Sequence, residues 1–123
     1  MLILTYLLCG CTFLAGDKEN TYRRIDMDEA ITIMDRQTGY IILDVRRADE
    51  FAEGHIPGAI NIPNESIGTA EISELPDKDQ LILVYCRSGN RSKQASKKLV
   101  ALGYTNIVEF GGIIDWPGDI ETE

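Results

Sequence analysis

Tyr40-Ile41-Ile42-Leu43-Asp44-Val45 and Gln80-Leu81-Ile82-Leu83-Val84-Tyr85 are the stretches on which the fold turns. The first is an apolar run closing on an acid, and the second is apolar from Leu81 onward. A strand with one wet face alternates polar and apolar residues. An uninterrupted run instead predicts a strand buried on both faces, as in a parallel sheet. Thr21 to Ile25, Ala59 to Ile62 and Ile107 to Phe110 are shorter strand candidates. Between the strands lie helical stretches. Asp26 offers an N-cap with Glu29 placed for a capping box, and Met27, Ala30, Ile31 and Met34 share one face ahead of Gly39. Ala48 to Glu53, Glu65 to Leu75 and Ser92 to Leu102 read as further helices. In the last, Ala95, Leu99 and Leu102 share a face, Gly103 stands where a C-cap belongs, and Lys93, Lys97 and Lys98 read as a solvated face. Strands alternating with helices predict an α/β domain with a largely parallel sheet.

The chain has 123 residues, 44% hydrophobic and 26% charged, which is enough for one globular domain with its own core. A formal net charge of −8 disfavours nucleic-acid binding. Any anionic substrate must meet a local cluster of positive groups. The three cysteines, Cys9, Cys11 and Cys86, form no paired framework, and His55 is the single histidine. Neither a metal site nor a cofactor is expected.

Residues 1–16, MLILTYLLCGCTFLAG, carry no charge and are short for a membrane span. They are expected to be an export segment. Leu8-Cys9-Gly10-Cys11 resembles the lipobox of bacterial lipoprotein signals, which implies lipidation at Cys11 and a bacterial protein anchored on the outer side of its membrane. No Lys or Arg precedes the apolar run, a departure from that pattern. Residues 17–21 read as a polar tether, 22–119 as the domain and 120–123 as a tail.

The chemistry concentrates in Tyr85-Cys86-Arg87-Ser88-Gly89-Asn90-Arg91-Ser92. Here a buried strand ends and a helix begins, and in a parallel sheet that edge is the binding edge. A thiol reacts as its thiolate, which needs positive surroundings. Arg87 and Arg91 flank the loop, and the helix N-terminus offers unpaired N–H groups. Gly89 and Asn90 tolerate left-handed angles that turn N–H groups inward, and Ser88 and Ser92 add hydroxyls. A lone cysteine at a strand end is more often a small buried residue. Two arginines, two serines and a glycine in the next six positions favour a reactive Cys86 instead.

The segment Asp44 to Pro63, DVRRADEFAEGHIPGAINIP, resembles the rhodanese pattern D-x-R-x-x-x-E-F-x-x-G-H-I-x-G-A-x-N-I-P. Cys86 to Ser92 is similar to the rhodanese active-site loop, and Gly111-Gly112 with Trp116 to the family's closing G-G-x-x-x-W. The resemblance implies a central five-stranded parallel sheet with helices on both faces. It implies that Cys86 takes sulfur from a donor such as thiosulfate and passes it to a thiol or cyanide. Arg87, Ser88, Gly89, Asn90, Arg91 and Ser92 would bind the donor and persulfide, and Asp44 and Arg46 would brace the loop. A structural ion pair of those two with Glu50 is an equal reading. His55 is expected to be a structural turn residue, Gly111 and Gly112 to permit close backbone approach, and Trp116 to pack in the core. Two other classes share the fold: phosphatases or arsenate reductases, and sulfur carriers or binding modules. Arg91 gives a C-x4-R spacing, one residue shorter than the C-x5-R of the phosphatases, which favours sulfur.

Overall fold

The computed structural model describes residues 21–123. The export, lipidation and most of the tether expectations, Cys11 included, lie outside them. Five parallel strands are found: β1 (Arg23–Arg24), β2 (Ile41–Asp44), β3 (Ile60–Asn61), β4 (Ile82–Cys86) and β5 (Ile107–Gly112), in the order β1-β5-β4-β2-β3. The helices are α1 (Met27–Arg36), α2 (Ala48–Glu53) and α3 (Asn90–Ala101), with 3-10 turns at Asn64–Ser66 and Ile113–Asp115. The α/β class and the parallel sheet follow as the sequence predicts.

Side chains of the central strands alternate between two cores. Leu43, Ile82, Val84, Cys86 and Ile107 pack beneath Ala95 and Leu99 of α3. Ile42, Leu83, Tyr85, Val108 and Phe110 pack against Ala30 of α1, with Met27, Ile33 and Met34 around it. Helices therefore cover both faces, which is why the strand runs lack polar alternation. Asp26 caps α1 by accepting from Glu29 N–H at 2.9 Å.

Four readings need correction. Glu65 to Leu75 is not a helix. Only Asn64–Ser66 forms a 3-10 turn, and Ile67 and Leu75 anchor an irregular loop by burial. On α1, Ile33 rather than Ile31 joins Met27 and Met34 against the core. Lys98 is not a free solvated residue, because its ammonium donates to Asn64 O at 2.9 Å and Asn64 Oδ1 at 3.1 Å. The residues assigned to a tail run back along the domain. Glu121 and His55 exchange backbone hydrogen bonds at 2.8 and 2.9 Å.

Candidate active site

Cys86 is the last residue of β4 and is buried. Gly89 follows with φ of 113°, a left-handed turn that aims its N–H back at the sulfur, 3.0 Å away. No side chain caps α3 at Gly89. The first-turn N–H groups of that helix thus remain for the sulfur or its ligand. Beneath the loop, β4 and β5 pair regularly to Val84↔Glu109 and then shift register to Cys86↔Gly112. At Gly112 a Cβ would lie 1.9 Å from Arg87 O. Only glycine lets β5 pass under the cysteine loop this closely.

The charged residues divide their tasks. Arg91 forms a two-pronged pair with Glu50, Nη1 to Oε1 at 2.7 Å and Nη2 to Oε2 at 3.2 Å. The Arg91 hydrogen bond holds the Glu50 carboxyl down at about 2. Arg91 in turn is raised above its ordinary value by that bond. Arg46 is buried and takes Asp44 rather than Glu50, at 2.7 Å, and also donates to Gly54 O at 2.7 Å. Burial works against its charged form, and the bond to Asp44 outweighs it, so Arg46 is raised. Arg87 is exposed and its side chain makes no hydrogen bond among the described residues. A cleft of about 260 Å³ is lined by Arg46, Glu50, Glu53, Gly54, Arg87 and Ile113. It offers an entering anion the free guanidinium of Arg87. Ser88 and Asn90 are exposed on the loop.

Ser92 is buried, 3.6 Å from Cys86 Sγ, but its hydroxyl also contacts Glu109. Glu109 and its partner Arg24 were missed in the sequence. The available signal was a lone acid within Ile107-Val108-Glu109-Phe110, at a position whose neighbours predict a core-facing side chain. His55 is buried, stacked on Phe51 with ring centroids 3.7 Å apart, and its Nδ1 contacts Phe51 O at 2.8 Å. It belongs to the turn after α2 and does not line the cleft. Trp116 is half-buried against the α1-side core.

The rhodanese-like domain family matches residues 26–117. The chain belongs to that family. It is 37% identical over 73 residues to thiosulfate sulfurtransferase PspE of Escherichia coli, covering 59% of this chain and 70% of the relative. It is 34% identical over 107 residues to the adenylyltransferase and sulfurtransferase UBA4 of Candida albicans, covering 81% of this chain but only 24% of that much longer protein. A solved rhodanese with anions from E. coli superposes with a TM-score of 0.62 at 32% identity, covering 68% of this chain and 99% of that one. The rhodanese fold is thus shown for this domain, with Cys86 at the head of its loop.

Proposed function

We propose that this rhodanese domain is a sulfurtransferase that takes sulfane sulfur from a small anionic donor such as thiosulfate, holds it as a persulfide on Cys86, and delivers it to a thiol or cyanide. The observation that carries this reading is the cysteine cradle. Cys86 Sγ receives the Gly89 N–H at 3.0 Å beside the uncapped start of α3. In the first step the Cys86 thiolate bonds to the outer sulfur of thiosulfate. The donor's S–S bond breaks and its electron pair leaves with sulfite. In the second step the acceptor takes the outer sulfur and Cys86 leaves as thiolate. This is two-step covalent catalysis. Arg87 attracts the donor from the cleft, Arg91 shapes the loop through Glu50, and the N–H groups of residues 88–92 hold the outer sulfur. Asp44 and Arg46 brace the strand end. Relatives named sulfurtransferase support the reading.

The test is intact mass spectrometry after thiosulfate treatment. A gain of one sulfur mapped to the Cys86 peptide is expected. Hydrolysis of aryl phosphates faster than sulfur transfer would instead favour the phosphatase reading. We also infer export and lipidation at Cys11, from the uncharged run of residues 1–16 and the Leu8-Cys9-Gly10-Cys11 segment. Stable anchoring at one cysteine requires more than one acyl chain.

A further inference from the structure

Glu109 has no part in the chemistry described so far. It is fully buried beneath the cysteine loop. Gly111 N–H donates to its Oε2 at 2.9 Å, and Arg24 Nε stands 3.1 Å from its Oε1. The Gly111 N–H makes Oε2 an acceptor, while Arg24 stands beside Oε1 as a charge partner without a hydrogen bond to it. Its remaining partner is the Ser92 hydroxyl, at Oε2. A hydroxyl has one hydrogen to give. The shortest contact Ser92 makes is to Glu109, and a carboxylate outcompetes the neutral carbonyls of Gly89 at 2.9 Å and Gly111 at 3.4 Å. Only the lone pairs of Ser92 then face Cys86 Sγ, 3.6 Å away. So placed, the serine can accept from a thiol but cannot donate to a thiolate.

We propose that Glu109 is a positioning residue: by holding the Ser92 hydroxyl it disfavours negative charge on Cys86 Sγ and so favours the persulfide over the bare thiolate. This rests on the persulfide reading above. Before loading, the thiol loses its proton to water. On loading, the negative charge moves from Sγ to the outer sulfur, away from Glu109 and toward the open N–H groups of α3. A like charge beside Sγ raises the energy of the unloaded thiolate more than that of the loaded form. The other charged groups around the sulfur leave this effect in place. Arg91 of α3 is paired with Glu50 of α2 and feels Glu65. Arg87 is exposed, and Asp44 and Arg46 bind one another. Arg24 of β1 offsets Glu109 only in part, because its side chain is 52% exposed and therefore screened.

The experiment follows alkylation of the Cys86 peptide against pH, and separately the fraction loaded by thiosulfate in the presence of sulfite. Glu109→Gln should shift the alkylation midpoint down by about one pH unit, because it removes the negative charge beside Sγ and leaves Ser92 held only by a neutral amide oxygen, the atom that must also accept from Gly111 N–H. At matched sulfite and at a pH above both midpoints, where the unloaded sulfur is the thiolate, its ratio of loaded to unloaded protein should fall by about tenfold. Arg24→Gln, an exposed change on an edge strand, should move the midpoint upward. In a Ser92→Ala background the Glu109→Gln shift should shrink. Shifts of opposite sign from the two partners of one ion pair would not arise from a merely structural role. Equal midpoints in all forms, or a higher midpoint in Glu109→Gln, would overturn the proposal; the latter would mark the carboxylate as the acceptor of the thiol proton. Midpoint shifts in the expected directions with no sulfur gained by any form would instead remove the persulfide reading, and the claim on loading with it.

Discussion

Cys86 sits where one N–H, one hydroxyl oxygen and a helix start converge. Cys86→Ser should abolish thiosulfate:cyanide sulfurtransfer, because serine is nearly isosteric but forms no persulfide. Its thermal midpoint should stay within a few degrees of wild type, since the buried atom is replaced by one of similar size. The two arginines should behave differently. Arg87 is exposed, so Arg87→Ala should reduce the donor half-reaction without loss of stability. One charge-assisted contact is worth about 1.5–3 kcal/mol, or roughly tenfold or more in rate. Arg91→Ala should reduce both rate and stability, because it strands the half-buried Glu50 carboxylate. Stopped-flow sulfite release and thermal melts separate the two. Equal donor kinetics for Arg87→Ala and wild type would show that the cleft does not guide the anion. The cysteine loop was legible in the sequence because its residues are local to one another. The pairing of Arg91 with Glu50 was not, because it joins residues 41 positions apart.

Between elements, the α2–α3 contact has a pH signature. The Glu50 carboxyl is held at about 2, chiefly by its bond to Arg91, against about 4.3 for a free glutamate. A carboxyl depressed on folding contributes stability above its unfolded value, and that contribution is lost as the pH falls through the folded one. Glu50→Gln should therefore be less stable than wild type at neutral pH, and the gap should close between about pH 4.3 and pH 2. Denaturant titrations over that range check it, and a gap independent of pH would show that the pair contributes nothing. At the β4–β5 crossing, Gly112→Ala should lose activity and stability together, because its Cβ would meet Arg87 O at 1.9 Å. Element types were largely legible: a helix needs a face, and α1 and α3 have one. The 65–75 segment is not a helix because its apolar residues are taken up by a wrapping loop, with Ile67 and Leu75 buried and Ile72 partly buried.

At the scale of the whole molecule, the proposed sulfur transfer rests on the short C-x4-R loop and on a local positive group in an acidic chain. Wild type should show negligible aryl phosphate hydrolysis beside its sulfur transfer, measured at matched substrate. Faster phosphate release would mean that loop length does not select the reaction. In a bacterial host, globomycin should block processing of the chain at Cys11, and a soluble mature form beginning beyond Cys11 would sink the lipidation proposal. The sequence by itself determined the class of fold and singled out the loop at Cys86 as the candidate site. Apolar runs of strand length between turn signals fit a sheet covered on both faces, and a cysteine followed by arginine, serine and glycine at a strand end favours a reactive thiol without naming its reaction. Only the tertiary structure decided how the charges are shared. Arg46 goes to Asp44, Arg91 to Glu50, and Ser92 to a glutamate from a neighbouring strand. Such pairings depend on which side chains the register of the sheet brings within a few ångströms, and residue order does not specify them.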